Sequence, residues 1–264
     1  MRSVELREEF RRFKAFALDC DGTLWLGGKP IPSALEAVRA LRREGKLIVY
    51  VTNNATLSRR AYVRKLRCMG FEAGLKDVFC SSYVTAKYLE GRISTAFVVG
   101  EVGLVEELAL RGIEVAGPEE DAVDCVVVGL DRGLTYWKLA VAARYLRSGS
   151  LFVATNRDST LPSPEGLVPG AGSVVAALEV ASGRRVDVEI GKPSPLIFKA
   201  VLDELKLSES EVLVVGDRLD TDVEGARRAG LSSALVLTGV AGGRGVGGGP
   251  EPDYVFKTLL DIFE

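Results

Sequence analysis

Short runs of apolar, mostly β-branched residues alternate along the chain with longer segments of mixed polarity. The apolar runs are continuous, which is typical of strands that are buried on both faces of a sheet. The predicted strands are Ala15–Leu18, Leu47–Val51, Ala96–Val99, Val126–Val128, Leu151–Ala154, Val186–Ile190, Val212–Val215, Ala234–Leu237 and Tyr254–Phe256.

The segments between these runs have the spacing of apolar residues that favours helices. The predicted helices are Ser33–Glu44, Ser58–Met69, Leu104–Arg111, Thr135–Arg147, Gly172–Ser182, Pro195–Leu205 and Thr221–Ala229. Strands that alternate with helices predict βαβ units and a mostly parallel sheet, and therefore an α/β fold.

The overall charge excludes some classes of partner. Lys and Arg number 34 against 36 Asp and Glu, a formal net charge of -2 in 264 residues. This balance gives no global basic field, so we expect neither nucleic acid nor a membrane as a partner. The N-terminal segment lacks the apolar stretch of a signal peptide, and no apolar run approaches the ~18 residues of a membrane span. These features predict a cytoplasmic protein.

The chain contains no histidine. Its absence excludes catalytic triads and metal sites that depend on imidazole. The four cysteines, Cys20, Cys68, Cys80 and Cys125, include no CxxC pair, so a zinc site is not expected. Any metal should therefore be held by oxygen atoms, which favours Mg²⁺.

Polar residues follow three of the predicted strands directly. They form the segments Asp19–Thr23, Thr52–Asn54 and Gly216–Asp222. Ligands of parallel sheets bind at the carboxyl ends of the strands, so we expect these segments to meet at one edge of the sheet.

The acidic residues of these segments predict a metal site. Asp19 and Asp21 point to the same side of an extended segment, where their like charges repel unless a cation is bound. With Asp217 and Asp222 they provide up to four carboxylates, which suit Mg²⁺. Lys192 adds a positive charge, and hydroxyl and amide groups follow the second strand, so the set favours a pocket for a tetrahedral anion.

Four motifs in order carry a resemblance to a known family: DCDGT from Asp19, TNN from Thr52, GKPS around Lys192 and GDRLDTD around Asp217. With them the chain resembles the haloacid dehalogenase (HAD) superfamily, and within it subfamily IIA, the branch of NagD, 4-nitrophenylphosphatase and phosphoglycolate phosphatase. The resemblance covers Phe16 to Asp253. It implies a HAD-like Rossmannoid core with a mostly parallel sheet and an inserted α/β cap domain of the C2 type.

The resemblance also implies a role for each matching residue. Asp19 is expected to be the nucleophile that forms an aspartyl-phosphate, and Asp21 the general acid and later the base. Magnesium would be held by Asp19, Asp21 through its backbone carbonyl, Asp217, and Asp222 either directly or through water. The phosphoryl oxygens would be bound by Thr52, Asn53, Asn54 and Lys192.

The long stretch between the second and third motifs implies where the cap is inserted. We predict a core domain of residues 1–91 and 187–264 and a cap domain of residues 92–186. The segment 155–173 resembles the characteristic cap segment of the subfamily, and its Asn156, Arg157, Asp158 and Pro162–Pro169 are candidates for contacts with the leaving group. By analogy with relatives, a homodimer that pairs through the cap is expected.

The sequence thus predicts a Mg²⁺-dependent phosphomonoester hydrolase that acts on small phosphorylated metabolites. An acid two residues after the nucleophile favours phosphate esters over carbon–halogen substrates, because halide leaves without a proton. Two alternatives stay open. One is a phosphotransferase or phosphomutase on the same core, and the other is a non-catalytic regulatory protein that binds a phosphorylated metabolite.

Overall fold

A computed structural model of the chain describes residues 5–163, 166–240 and 249–264. The strands are β1 Ala15–Asp19, β2 Trp25–Leu26, β3 Lys29–Pro30, β4 Leu47–Thr52, β5 Val78–Cys80, β6 Thr95–Val99, β7 Glu114–Val115, β8 Cys125–Val128, β9 Leu151–Ala154, β10 Thr160–Ser163, β11 Gly166–Pro169, β12 Val188–Glu189, β13 Val212–Gly216, β14 Ser232–Val236 and β15 Tyr254–Phe256.

The helices are α1 Pro32–Arg43, α2 Arg59–Cys68, α3 Ser81–Leu89, α4 Val102–Ala109, α5 Tyr136–Arg147, α6 Ala171–Ser182, α7 Leu196–Leu205 and α8 Glu224–Ala229. Every predicted strand and helix is present, with ends that shift by a few residues. The largest difference precedes α8, where Leu219–Val223 forms a π-helical turn in place of the first predicted helical residues.

The chain divides into two compact units. The first contains Met1–Thr52, Val63–Phe79 and Lys192–Glu264, and the second contains Asn53–Tyr62 and Cys80–Gly191. The boundaries predicted from sequence, at residues 92 and 186, stay a prediction.

The first unit is built on a six-stranded sheet with the order β15-β14-β13-β1-β4-β5. Strand β1 lies near the middle of this sheet and pairs in parallel with β13 on one side and with β4 on the other. Residues 15–18 of β1 are completely buried, which explains why their sequence is a continuous apolar run. This confirms the predicted α/β core with a mostly parallel sheet.

The second unit contains a five-stranded sheet with the order β12-β9-β8-β6-β7. Its strands pair in parallel, and α5 and α6 pack on it around buried residues such as Phe152, Tyr145 and Leu178. Strands β10 and β11 form a separate antiparallel hairpin. The inserted α/β segment expected from the sequence thus forms a sheet that is covered by helices and has its own hydrophobic core.

None of the helices in the described parts of the chain combines the length and the apolar character that crossing a bilayer requires.

Candidate active site

The candidate site lies where three adjacent strands of the first unit end. Strand β1 is paired so that Asp19 lies beside Val51 of β4, and Leu18 lies beside Val215 of β13. Asp19 and Thr52 are therefore the last residues of neighbouring strands, and Asp217 directly follows the third. This is the edge of a parallel sheet at which ligands bind.

Lys192 lies between two carboxylates of this edge. Its Nζ is 2.5 Å from Oδ1 of Asp19 and 2.6 Å from Oδ1 of Asp222, and it also donates to the carbonyl of Val51 at 3.4 Å. The side chain is only 3% exposed. A buried ammonium in such contacts holds both carboxylates in fixed positions.

The carboxylates of Asp19, Asp217 and Asp222 form a cluster that fits a divalent cation. Each offers an oxygen atom, and these atoms lie within 4.8 Å of one another. Lys192 compensates one negative charge of the three, so two remain when all the carboxylates are ionised. Hard oxygen ligands with excess negative charge are the donor set of Mg²⁺ and Ca²⁺.

Burial and nearby charges shift the pKa values of Asp19, Asp217 and Lys192. Burial raises the pKa of Asp19 well above its usual value, and Lys192 opposes this rise while Asp222 and Asp217 add to it. Burial also raises the pKa of Asp217 to about 6. Burial disfavours the charged form of Lys192, but Asp19 and Asp222 outweigh it and raise the pKa of the lysine. A cation at this cluster would favour the ionised carboxylates.

Two glycines allow the backbone to approach the carboxylates. Gly22 has a φ of +88°, and a Cβ atom there would collide with the carboxylate of Asp217. A Cβ atom on Gly216 would collide with the side chain of Asp222. Each position therefore requires glycine for steric reasons, and Gly22 also for its left-handed conformation.

The Asp21 side chain accepts a hydrogen bond from a tryptophan, which is not a member of the carboxylate cluster. Its Oδ1 accepts a hydrogen bond of 2.7 Å from the indole Nε1 of Trp25. Asp21 is exposed, whereas the Trp25 side chain is buried. This contact was not predicted from the sequence, although Trp25 follows Asp21 by only four residues and lies just beyond the first motif.

Thr52 is buried at the end of β4 in the first unit, whereas Asn53 and Asn54 group with the second unit. There the Asn53 amide donates to both oxygens of Asp158, at 3.1 and 3.3 Å. Oδ1 of Asn54 accepts from the backbone and the hydroxyl of Thr56, at 3.0 and 2.7 Å. The side chains of Asn53 and Asn54 thus have partners within the second unit.

The cap residues named from sequence have structural partners in the second unit. The Asn156 amide donates to the carbonyl of Asn53 at 2.7 Å, and Ser81 donates to the same carbonyl at 2.5 Å. The guanidinium of Arg157 forms ion pairs with Glu179 and Glu189. Of the Pro162–Pro169 segment, residues 164 and 165 lie outside the described residues, and the remainder belongs to the β10–β11 hairpin.

This hairpin borders a cavity of about 640 Å³ within the second unit. Its lining is mostly apolar and includes Leu130, Leu134, Leu161, Val168 and Val174, with Asp131 as a charged member. Lys138 lies 2.6 Å from the buried carboxylate of Asp131 and neutralises it.

The loop after β14 also contributes to the first unit's site, which the sequence analysis missed. The backbone N–H of Val240 donates to Oδ2 of Asp217 at 2.7 Å, and the Thr238 hydroxyl donates to the carbonyl of Gly22 at 2.6 Å. A backbone donor leaves no signature in the sequence, so only the glycine-rich character of this loop could have indicated a close approach.

Comparison with known families gives two matches that together span both ends of the chain. The profile described as haloacid dehalogenase-like hydrolase matches residues 16–114, and a second, described as HAD-hydrolase-like, matches residues 189–262. The matched segments contain Asp19, Lys192 and Asp217.

Individual relatives are similar over nearly the whole chain. A human glycerol-3-phosphate phosphatase is 39% identical over 92% of this chain and 84% of its own. Among solved structures, the 4-nitrophenylphosphatase of Thermotoga maritima is 36% identical with a TM-score of 0.91, over 97% of this chain and 98% of the other. The glycerol phosphate phosphatase of Mycobacterium tuberculosis, solved in complex with calcium, is 35% identical with a TM-score of 0.88, over 98% and 77% of the respective chains.

Proposed function

This chain belongs to the haloacid dehalogenase-like hydrolases and is a phosphatase, a phosphoric monoester hydrolase, and from this premise we propose that it hydrolyses small phosphorylated metabolites with Mg²⁺ through an aspartyl-phosphate. The observation that carries the proposal is the buried Lys192, whose ammonium contacts Asp19 and Asp222 in a cluster completed by Asp217. A fixed cation beside clustered carboxylates suits the transfer of an anionic group.

Asp19 acts as the nucleophile in this proposal. One of its carboxylate oxygens attacks phosphorus while the bond from phosphorus to the ester oxygen breaks, which leaves the phosphoryl group on Asp19. The attack brings a carboxylate to a phosphate dianion, so positive charge must be present beforehand. Lys192 supplies one such charge, and its contact with Oδ1 fixes the orientation of the nucleophile.

The carboxylates of Asp19, Asp217 and Asp222 would hold the metal, together with the backbone carbonyl of Asp21 that the family resemblance implies. A bound Mg²⁺ supplies electrostatic neutralisation of the phosphate and its developing charge. The excess of negative charge in the cluster and the calcium of the mycobacterial relative support a divalent cation. The choice of Mg²⁺ is part of the proposal, as is direct or water-mediated ligation by Asp222.

Asp21 acts as general acid and then as general base. It first donates a proton to the departing ester oxygen, and it later removes a proton from the water that attacks the aspartyl-phosphate. That attack releases inorganic phosphate and restores the Asp19 carboxylate. We propose that Thr52, Asn53, Asn54 and Lys192 bind the phosphoryl oxygens, as the family resemblance implies.

The substrate class rests on the names of the relatives, which include phosphatases of glycerol phosphate and of 4-nitrophenyl phosphate. We propose a phosphomonoester of similar size. The expected partners are therefore a small phosphorylated metabolite and, by analogy, a second copy of the chain through the cap. A cytoplasmic location and the lack of nucleic-acid and membrane partners also stay predictions.

Release of inorganic phosphate from a panel of phosphomonoesters tests the proposal. We expect turnover that requires Mg²⁺, and the ranking of kcat/KM will identify the preferred ester. Transfer of the phosphoryl group to a second metabolite without release of phosphate would instead identify a phosphotransferase or mutase. Binding without turnover of any ester, in protein saturated with metal, would favour a regulatory binding protein.

A further inference from the structure

Trp25 donates a hydrogen bond to the carboxylate that we propose as the general acid. The distance from its Nε1 to Oδ1 of Asp21 is 2.7 Å. The indole is only 1% exposed, whereas Asp21 is an exposed residue. A buried, fixed group therefore restrains a side chain that would otherwise sample several rotamers in solvent.

The position of the indole is itself fixed by the backbone of the first motif. The backbone N–H of Trp25 donates to the carbonyl of Cys20 at 3.3 Å, and the backbone N–H of Gly22 donates to the carbonyl of Trp25 at 2.8 Å. Trp25 also pairs with Pro30 in the β2–β3 hairpin. On the face of the ring, Nζ of Lys65 lies 4.3 Å from the centroid. The donor atom thus has little freedom relative to Asp21.

A purely structural role would explain the burial of the ring but not the partner of its N–H group. A buried indole N–H needs an acceptor, and a backbone carbonyl would satisfy it equally well. Here the acceptor is instead a carboxylate oxygen two residues after Asp19. A hydrogen bond to this oxygen restricts the direction in which Asp21 presents its other oxygen.

We propose that Trp25 is a positioning residue for Asp21, which holds the carboxyl group in the orientation for proton delivery to the leaving oxygen. The inference rests on the proposed function, in which Asp21 is the general acid. It follows that Trp25 contributes to the hydrolysis of esters whose leaving group needs a proton, and contributes little when the leaving group departs readily as an anion.

The test compares two esters in wild type and in Trp25→Phe. Glycerol 3-phosphate has an alkoxide leaving group that needs protonation, whereas 4-nitrophenyl phosphate releases a stabilised phenolate. The parameter is kcat/KM, because it includes the departure of the leaving group but not the later hydrolysis of the aspartyl-phosphate, which is common to both esters. We expect the loss on glycerol 3-phosphate to exceed the loss on 4-nitrophenyl phosphate by roughly tenfold, a part of what a general acid contributes.

The matched control is Trp137→Phe, because the second tryptophan of the chain is 67% exposed in the other unit. It should leave the ratio between the two esters unchanged. An equal loss on both esters in Trp25→Phe would overturn the inference, since a change in packing alone would not distinguish the leaving groups. Wild-type protein that hydrolyses neither ester with Mg²⁺ would instead overturn the proposed function.

A second variant removes the donor without changing the shape of the ring. Benzothienylalanine, in which sulfur replaces the N–H group, can be incorporated in place of tryptophan in a Trp137→Phe background, so that only position 25 is replaced. The same tenfold change in the ratio is expected from this protein. If Trp25→Phe does not fold, this isosteric protein decides the question, and an unchanged ratio in it would overturn the inference.

Discussion

Lys192 and Asp222 form a buried ion pair, with 2.6 Å between Nζ and Oδ1 and side chains that are 3% and 2% exposed. The two residues are 30 positions apart in the chain, and Asp19 contacts the same ammonium from a third segment. One charge therefore connects the end of β1, the segment before α7 and the turn before α8. A buried ammonium with two carboxylate partners is costly to remove, because its partners remain buried.

Replacing Lys192 with Met should lower activity strongly, because methionine matches the lysine stem only as far as Cε and lacks the ammonium group. The variant loses the positive charge that we propose for the transition state, and donors of this kind contribute about 3–4 kcal/mol. We expect a decrease in kcat/KM of roughly 10²–10³-fold. Lys199→Met, at an exposed position of α7, is the matched control. A Lys192→Met protein that folds and retains full activity would remove the ammonium from the mechanism.

Asp19→Asn should fold and lose nearly all turnover, because the neutral amide cannot form the acyl-phosphate. We expect a decrease of roughly 10⁴-fold or more. Rapid-quench experiments with ³²P-labelled substrate should trap a phosphorylated protein in wild type and none in the variant. The control is Asp220→Asn, which changes an exposed carboxylate that pairs with Arg218. Labelling of Asp19→Asn at the wild-type level would show that another residue is the nucleophile.

The sequence predicted most strands of both sheets, because strands buried on two faces are continuous apolar runs. It missed the short strands β5 and β7, which lie at the ends of the two sheet orders. It also predicted that Asp19, Asp217 and Lys192 serve one site. Asp19 ends β1 and Asp217 directly follows the adjacent β13, and ligands of parallel sheets bind at the carboxyl ends of the strands. Helix α3 was missed for a related reason. Seven of its residues are buried, among them Ser81, Ser82 and Thr85, so its sequence lacks the polar face of an amphipathic helix.

Other features could not be predicted because they depend on three-dimensional proximity alone. The N–H of Val240 that contacts Asp217 belongs to a loop far along the chain, and any residue except proline could supply it. The ion-pair partners of Arg157 are a second feature that the sequence could not predict. A contact of Arg157 with the leaving group stays a prediction. In the structure its guanidinium pairs with Glu179 and Glu189, and sequence does not reveal which acids fold next to it.

Chelation should abolish activity and also lower the melting temperature. Clustered carboxylates repel one another without a cation, and a ligand that binds only the folded state adds about 2.7 kcal/mol of stability at a concentration of 100 Kd. We expect Tm to rise when Mg²⁺ is added to chelated protein. In Asp217→Asn this rise should be smaller, because one ligand loses its charge. An equal rise in wild type and Asp217→Asn would place the bound cation elsewhere.

Gly22→Ala should impair metal binding, because the added methyl group would collide with the carboxylate of Asp217. The variant also places alanine at a left-handed φ of +88°, which costs about 1–2 kcal/mol by itself. Gly45→Ala is the control for this strain, since φ is +73° there and no atom lies within 4 Å of the added methyl group. We expect similar losses of stability from strain but a raised requirement for Mg²⁺ only in Gly22→Ala, measured by titration of activity. Equal requirements in both variants would contradict the steric argument.

Ser81 and Asn156 should act together on the carbonyl of Asn53, because both side chains donate to it, at 2.5 and 2.7 Å. In Ser81→Ala or Asn156→Ala the carbonyl keeps one of these donors, and we expect each to cost about 1 kcal/mol of the free energy of unfolding. The double variant removes both donors from a buried residue, so its cost should exceed the sum of the single costs by about 1 kcal/mol. Urea denaturation of wild type, the two single variants and the double variant measures this coupling. If Asn53 binds the phosphoryl group, KM for the phosphate ester should rise in the same variants. Additive costs with an unchanged KM would show that the two donors act independently and away from the substrate.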